Sequence, residues 1–388
     1  MTADKSSPQA YAGFEQGPIR PPSEAGSLLI RVTRNCPWNH CTFCPVYKKA
    51  RFSLRPAEHV RRDIDTVHRH VERLREAADA DGGLDRARVR RLSATVPSGE
   101  AAAFQAALHW HANGLRSIFL QDANSLIVPP GEMIDILRRL QERFPDVERI
   151  TSYARSHTIA RISDENLRKM REAGLNRIHI GMESGSDRVL ARVRKGADKA
   201  TQIRAGRKVK AAGMSLSEYV MPGLGGRDLS EEHARETADA LNRIDPDFIR
   251  LRTLALPGRV PLAREYREGR FEKPTDRETV AEIRRFIASL SGIGSRVVSD
   301  HVLNLFQEVE GRLPEDRDRM LSILDEFLEM DPERQCVYQV GRRLGFLSRL
   351  SDMESEHRTR RVRRVMDENG ITPENVDGVV EELMKRFI

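Results

Sequence analysis

The sequence is poor in cysteine, in aromatic residues and in long apolar runs. Only four of its 388 residues are cysteine, which argues against a disulfide-rich secreted domain. No apolar run is long enough to cross a bilayer, and the opening residues MTADKSSPQA lack the apolar stretch of a signal peptide. We therefore predict a cytoplasmic protein with reduced thiols and no membrane contact.

Aromatic residues make up 5% of the chain, although its net charge is +7. The positive charge would suit an RNA, an acidic protein or a phosphorylated partner. RNA binding usually also needs aromatic side chains that stack on bases, and these are few. The densest basic run, residues 358–364, is balanced by Glu354, Glu356 and Asp367, so we interpret it as a solvated helix face. An RNA partner is therefore possible but not favoured.

Three of the four cysteines, Cys36, Cys41 and Cys44, lie in one loop directly after a short apolar strand at residues 28–33. Thiolates are soft ligands, which select an iron–sulfur cluster or a zinc ion. A structural zinc ion would need a fourth protein ligand, for which His40 is available. A [4Fe-4S] cluster held by three cysteines instead leaves one iron open for a substrate or cofactor. Both interpretations remain open on the cysteines alone.

Strands and helices alternate along the chain as far as residue 256. Apolar patterns with turn residues between them predict six strands, at residues 28–33, 117–121, 148–152, 176–181, 216–221 and 248–256. Each strand is followed by helical sequence, which implies right-handed crossovers and a parallel sheet. Six such units are too few for a closed eight-fold barrel. The predicted fold class is α/β, a partial (β/α)6 barrel with a parallel sheet, followed by a helical C-terminal region.

The same patterns predict three regions. Residues 1–26 are rich in Pro, Gly, Ser and Ala without periodicity, so we expect an irregular N-terminal arm over the surface. Residues 27–270 form the barrel domain, and residues 271–388 form a helical domain that covers its open side. A helix is predicted over residues 301–309, with Asp300 and His301 at its start as a candidate substrate contact or an ordinary helix cap.

Two motifs resemble those of the radical S-adenosylmethionine (radical SAM) enzymes. The cysteine loop, with the aromatic Phe43 directly before the last cysteine, is similar to their cluster loop. Four residues separate the first two cysteines where most of the family has three, which we interpret as a one-residue insertion. Residues 181–187, GMESGSD, resemble a segment of the Elongator catalytic subunit, the tRNA methylthiotransferases and oxygen-independent coproporphyrinogen oxidase. The alternative interpretation of this segment is a glycine-rich turn that caps a helix at Ser186.

The resemblance implies a [4Fe-4S] cluster on the three cysteines and an S-adenosylmethionine site at the ends of the strands. In the family, groups after the second strand hold the amino group of this cofactor. Groups after the fourth strand approach its ribose and methionine, and backbone after the fifth approaches its adenine. The matching positions are Gln121, Asp122, Asn124, Glu183, Ser184, Met221 and Gly223. A flavodoxin- or ferredoxin-like external electron donor is implied as well.

The expected function is that of a radical SAM enzyme. Such an enzyme cleaves S-adenosylmethionine reductively to a 5′-deoxyadenosyl radical, which would abstract hydrogen from a small metabolite or cofactor precursor. The alternatives are an RNA-modifying or RNA-binding protein with the same domain and, less favoured, a zinc module built from three cysteines and His40. Cys336 alone lies outside the loop, so no second cluster is expected, and there is no cobalamin signature. We predict that Cys336 is a buried apolar residue rather than a radical quencher.

The sequence names no catalytic residue. Four basic residues near strand ends could meet a carboxylate: Arg155, Arg192, Arg194 and Lys195. Because arginine and lysine are mostly exposed in proteins, we predict that they are solvated surface charges.

Overall fold

A parallel sheet forms the centre of the fold in this computed structural model, which describes residues 10–384. The described residues contain ten strands: β1 (Leu28–Arg31), β2 (Thr33–Arg34), β3 (Ser53–Leu54), β4 (Ser117–Gln121), β5 (Arg149–Ala154), β6 (Leu175–Glu183), β7 (Ser215–Val220), β8 (Phe248–Leu251), β9 (Arg296–Val298) and β10 (Gly311–Arg312). Eight of them make one sheet in the order β1-β4-β5-β6-β7-β8-β9-β10, parallel except for the pair β9 and β10. The short pair β2 and β3 is antiparallel and flanks the cysteine loop. The predicted partial barrel is confirmed.

Helices connect the strands and follow them. Those in the described residues are α1 (Ala57–Ala77), α2 (Arg86–Ala94), α3 (Ala101–Ala112), α4 (Pro130–Arg143), α5 (Ser156–Ile159), α6 (Asp164–Glu172), α7 (Asp187–Arg192), α8 (Lys199–Ala211), α9 (Ser230–Ile244), α10 (Pro261–Arg267), α11 (Asp276–Ser289), α12 (Arg317–Glu329), α13 (Pro332–Arg343), α14 (Glu356–Asn369) and α15 (Val376–Met384). Polar side chains cap the N-termini of several helices. Ser163, Ser186 and Asp198 each accept a hydrogen bond from a backbone N–H in the first turn of the helix that follows. The predicted helical C-terminal region corresponds to α11 through α15.

The two faces of the sheet differ in chemistry because successive strand residues point to opposite sides. Ile118, Ile178 and Ile249 belong to the large hydrophobic core between the sheet and its helices, where burying such a side chain contributes roughly 1.5–3 kcal/mol. The opposite, inner face is aromatic and polar. There the ring of Tyr153 lies 5.3 Å from that of His179 and 5.8 Å from that of Tyr219.

Within the described residues, the N-terminal arm lies against this inner face through residues 17–24, whereas the prediction was an arm over the surface. Glu24 is fully buried beside His179, at 3.4 Å, and accepts a hydrogen bond from Ser27 Oγ at 2.6 Å. The N–H of Gly17 donates to Gln121 Oε1 at 2.8 Å, and a side chain at Gly17 would overlap the Asp122 carboxylate. Glu15 forms ion pairs with Arg31, Arg34 and Arg55. Arg149 of β5 lies 3.4 Å from the Glu24 carboxylate, so both carboxylates have arginine partners in the barrel domain, which hold the arm against it.

The sequence prediction missed several short elements, including β9, β10 and α2. Strands β9 and β10 have three and two residues, too few to show a periodic pattern. Helix α2 has no buried residue, and therefore no apolar stripe that would mark it.

The helix predicted over residues 301–309 is absent, and this segment consists of turns. Its buried apolar residues Leu303, Leu305, Phe306 and Val309 produced the helix-like pattern, although Val302 is exposed. The Asn304 side chain holds the turns in place, because it donates to Leu251 O at 2.8 Å and accepts the Thr253 N–H at 2.9 Å. His301 is therefore a turn residue and not a helix cap.

The limits of the described chain bear on the predicted domains. Residues 1–9 of the arm and 385–388 of the C-terminal domain lie outside the described residues, and the domain boundaries stay predictions. None of the helices within residues 10–384 combines the length and the apolar character needed to cross a membrane.

Glu218, in the middle of β7, is a buried acidic residue whose effect on stability can be tested. It is fully buried, and neither of its carboxyl oxygens has a hydrogen-bond partner among the described residues. Burial raises the pKa of Glu218 well above its ordinary value, and the Lys195 charge only partly opposes this. The folded protein thus keeps this proton to a higher pH than the unfolded chain does, so the free energy of unfolding falls as the pH rises.

We expect Glu218→Gln to remove this loss. The melting temperature of the variant minus that of the wild type should increase by at least about 2 °C from about pH 5 to about pH 8. Glu172→Gln, at an exposed helix end, is the control and should show no such trend. A difference that does not change with pH would contradict the buried, protonated carboxyl.

Candidate active site

The cysteine loop lies at the edge where the parallel strands end. The N–H of Val32 donates to Gln121 O at 2.7 Å, so the chain leaves β1 beside the end of β4. Cys36, Cys41 and Cys44 follow within a few residues and are each half-buried. The carboxyl edge of a parallel sheet is where α/β proteins bind ligands, because the connecting loops and helix starts converge there.

A buried carboxylate, Asp122, fastens both ends of this loop. Its Oδ2 accepts the N–H of Asn35, directly before Cys36, at 3.0 Å, and also two N–H groups of Arg31 at 2.7 and 2.9 Å. Its Oδ1 accepts the hydroxyl of Tyr47, three residues after Cys44, at 3.0 Å. Asp122 is 0% exposed, so these bonds form away from water, where charge-assisted hydrogen bonds are strongest.

The four residues between Cys36 and Cys41 are held in place by hydrogen bonds from their own side chains. Asn39 adopts a positive φ of 48°, which asparagine tolerates better than most residues, and its amide donates to Tyr47 O at 2.6 Å. The indole N–H of Trp38 donates to Arg194 O at 2.7 Å, which ties the gap to the chain after α7. The additional residue is thus part of an ordered turn. His40 is exposed and packs its ring against Trp38 at 5.0 Å.

The donor set fits an iron–sulfur cluster. Cys41 and Cys44 pack against a small apolar cluster that contains Phe43 and Leu224, and such a shell limits solvent access. Burial raises the pKa of both thiols, while the nearby Lys195 charge opposes the rise and favours thiolates. Residues 10–384 contain no three His, Cys, Asp or Glu side chains already gathered around a metal position. The three thiols would therefore turn toward one another when they share a cluster.

Glu183 and Lys195 form an ion pair beside these thiols. The Lys195 ammonium donates to Glu183 Oε1 at 3.0 Å, and the two side chains are only 12% and 13% exposed. Glu183 has a positive φ of 65° where β6 bulges, and Gly181 leaves the space that both charged groups occupy. Burial alone would lower the pKa of Lys195, but Glu183 and Cys41 outweigh it and raise the pKa, so the ammonium stays charged.

Ser184, next to Glu183, points away from the cysteine loop. Its hydroxyl bonds the ring nitrogen Nδ1 of His233, in α9, at 2.8 Å and accepts the Ser186 N–H at 3.0 Å. Gln202, in α8, donates to the carbonyls of Met182 and Ser184. The GMESGSD segment is thus a helix-capping turn, as the alternative interpretation had it, and it also places Glu183 beside the thiols.

The remaining predicted cofactor residues lie at the same edge, but most of their polar groups bond within the chain. Gln121 holds the backbone of the N-terminal arm through Gly17 and Ile19. Asn124 donates to Thr158 Oγ1 at 2.9 Å and accepts the Arg155 N–H at 2.9 Å.

The positions after β7 follow the same pattern. Met221 packs on the apolar cluster beside Cys41 and Cys44. The N–H of Gly223 donates to Glu282 at 2.7 Å, and Gly223 also lines a cavity of about 180 Å³ between the ends of β7 and β8 and α15.

Two of the four basic residues predicted to be surface charges are not on the surface. Lys195 is buried in the ion pair with Glu183. Arg155 is half-buried, stacks on Trp38 at 5.0 Å and donates to Lys195 O at 2.8 Å. Arg192 forms an ion pair with Asp228. The pairing of Lys195 with Glu183 could not be predicted, because Lys195 lies twelve residues after its partner and meets it only in the folded structure.

The fold and this site define a class before any comparison: an α/β partial barrel with three thiols at the carboxyl edge of its sheet. The family model described as the radical SAM superfamily matches residues 30–241, more than half of the chain. The chain therefore belongs to the radical SAM superfamily, and it is an enzyme of that kind. Its cofactors are those of the family, a [4Fe-4S] cluster and S-adenosylmethionine.

Several solved structures are similar to this chain at low sequence identity. Methylornithine synthase (PylB) is 15% identical, with a TM-score of 0.42, over 71% of this chain and 66% of that one. Elp3 of Methanocaldococcus infernus is 14% identical, with a TM-score of 0.40, over 55% and 53%. Coproporphyrinogen III oxidase (HemN) of Escherichia coli is 15% identical, with a TM-score of 0.44, over 68% and 51%. This chain thus spans about half to two thirds of their length. The search of curated proteins found no match.

The Asp122 contacts predict that this carboxylate holds the cysteine loop in a shape that accepts a cluster. Asp122→Asn keeps the side-chain shape but removes the charge, and a hydrogen bond to a charged group contributes about 1.5–3 kcal/mol. We expect the variant to retain less than about half of the wild-type iron after anaerobic reconstitution, measured by metal analysis.

Asp65→Asn is the matched control. Asp65 also accepts from two arginines, Arg139 and Arg143, but lies far along α1 from the loop. It should lower the melting temperature slightly and leave the iron content unchanged. Equal iron in the two variants would show that Asp122 serves the fold only.

Proposed function

We propose that this chain is a radical SAM enzyme that binds its [4Fe-4S] cluster through Cys36, Cys41 and Cys44 and acts on a small-molecule substrate at the inner face of the sheet. One observation carries the proposal: three thiols lie on one loop that Asp122 holds at both ends, beside the largely buried ion pair of Glu183 and Lys195. When bound, the cluster and S-adenosylmethionine supply an electron and a 5′-deoxyadenosyl radical that abstracts hydrogen.

The residues of the chain have three tasks in this proposal. Asp122 and Asn39 hold the loop, so that the thiols stay at one edge of the sheet. Lys195 balances the negative charge of the thiolates and offers an ammonium to the carboxylate of S-adenosylmethionine, while Glu183 accepts hydrogen bonds from the ribose hydroxyls of that cofactor. The N-terminal arm and the inner-face aromatic side chains limit the access of water.

An RNA substrate has less support. The basic run on α14 is compensated, since Arg358, Arg360 and Arg364 each pair with an acidic side chain and Arg361 stacks on Phe346. A zinc module has less support too, because His40 faces solvent beside Trp38. A cytoplasmic setting with a flavodoxin- or ferredoxin-like electron donor completes the proposal.

Metal analysis tests the cluster ligands. Anaerobically purified protein should be brown and hold about four irons per chain. Ala in place of Cys36, Cys41 or Cys44 should abolish iron binding. Cys336→Ala is the control, because Cys336 is fully buried in α13, and it should keep the iron. A colourless protein with one zinc ion would contradict the proposal.

Replacement of Glu183 tests the cofactor site. We expect Glu183→Ala to weaken S-adenosylmethionine binding roughly ten- to hundred-fold with the cluster retained, because the ribose hydroxyls and Lys195 both lose their partner. Equilibrium binding to the reconstituted protein measures the affinity, and chromatography after reduction measures 5′-deoxyadenosine. Glu165→Ala removes an exposed Glu–Lys pair with Lys169 and should change neither. Unchanged affinity in Glu183→Ala would leave Glu183 a turn residue only.

A further inference from the structure

Two arginines, Arg250 in β8 and Arg252 one residue beyond its end, face the inside of the barrel, and they differ in their partners. Ile249 and Leu251 face the helices, so the alternate residues Arg250 and Arg252 face inward. The N–H of Arg252 donates to Val220 O at 2.9 Å, which extends the pairing of β7 and β8 and carries this alternation to residue 252. Arg250 is buried and pairs with Asp300 at 2.9 Å.

Arg252 has no such partner. Within residues 10–384, no carboxylate or carbonyl group bonds its guanidinium, although this chain pairs most of its inward-facing charges. Its side chain is exposed at the open mouth of the barrel, one residue beyond the end of β8 and at the same edge as the cysteine loop. The guanidinium of Arg252 has no partner in the described part of the chain, and its backbone is fixed at a strand end and faces inward. Such a group is suited to a carboxylate or a phosphate, which it binds through two parallel hydrogen bonds.

His301 adds a neutral donor at this position. Its Nδ1 accepts the N–H of Leu303 at 3.2 Å, so in the neutral ring the proton is on Nε2. Burial, and then the charge of Arg252, lower the pKa of His301 to about 4. At neutral pH the ring is therefore uncharged and offers its Nε2–H as a donor, next to Asp300, which pairs with Arg250 of β8.

Val220, at the end of β7, connects this position with the cofactor side of the site. Glu183 of β6 is its register partner on one side, and the N–H of Arg252 donates to Val220 O at 2.9 Å on the other. Arg252 and Glu183 therefore lie at the same sheet edge, one strand apart. A molecule held at Arg252 would extend across the end of β7 toward Glu183 and the cysteine loop.

We infer that Arg252 and His301 bind the carboxylate or phosphate group of a small anionic substrate and so orient its remaining part toward the cluster side of the barrel. This assignment rests on the proposed function, because it treats the inner face as the substrate site. A further positive charge, Arg155, lies at the same edge, where its guanidinium is held by carbonyl groups rather than by carboxylates. This charge also favours an anion.

Calorimetric titration of the cluster-loaded full chain tests the inference without any turnover. The probes are sodium phosphate and sodium malonate, each added at low ionic strength because salt weakens such binding. We expect one probe to bind more tightly than the other, and the better probe identifies the anionic group. Arg252→Ala should weaken its binding at least about tenfold, and Arg252→Lys, which keeps the charge but loses the planar fork, should have a smaller effect.

Arg259→Ala is the matched control, since Arg259 is exposed in the loop after the same strand. It should leave the affinity within about twofold of the wild type. A wild type that binds neither probe, or an equal loss in the Arg259 variant, would overturn the inference. Tight binding of a uridine oligonucleotide that depends on Arg252 would also overturn it, in favour of RNA. Because the titration needs no reductant, a chain that fails to cleave S-adenosylmethionine would refute the proposed function and leave this result readable.

Discussion

A single buried carboxylate, Asp122, is the contact on which the arrangement of the site depends. It accepts hydrogen bonds from both ends of the cysteine loop and from Arg31, and it approaches Gly17 of the N-terminal arm so closely that a side chain there would not fit. Burying a carboxylate is costly unless all its oxygens are bonded, and here they are. The hydrogen bonds to Asp122 therefore fix the cysteine loop, β4 and the arm relative to one another. Removal of one bonded group would weaken the whole network.

Charge balance extends this network across the site. Thiolates that held a cluster would carry negative charge, Lys195 supplies a positive charge beside them and Glu183 neutralises it in turn. The bulge of β6 and the space left by Gly181 allow the two charged side chains to meet at a strand end. Across the end of β7 from Glu183, Arg252 has no counter-ion among the described residues. The site is thus complete near the cysteine loop and open toward the substrate.

The sequence predicted the positions of the site better than the contacts of its side chains. Gln121, Glu183 and Met221 could be placed at one edge because the ends of parallel strands share an edge, whatever the details of packing. The direction of Ser184, toward His233 in α9 and away from the cysteine loop, could not be predicted, because it depends on a local bulge. Lys195 was wrongly predicted to be a surface charge, because its contact with Glu183 is tertiary.

The N-terminal arm and residues 301–309 show the same limit. Their apolar and small residues suggested a surface arm and a helix, whereas buried polar groups decide both conformations: Glu24 beside His179, and Asn304 between two strand ends. One sequence feature can indicate such a buried polar group: an acidic residue within an apolar segment, as Glu218 within the strand LSEYV. Such residues are rare in cores, so each one marks a place where a partner or a shifted pKa should be sought.

Electron paramagnetic resonance of the reduced protein, recorded with and without S-adenosylmethionine, tests the central claim most directly. Three cysteine ligands leave one iron of the cluster open, so the signal of the reduced [4Fe-4S] cluster should appear and should change shape when the cofactor is added. The absence of a cluster signal, or a signal that S-adenosylmethionine leaves unchanged, would contradict the assignment of the loop and of the site beside it.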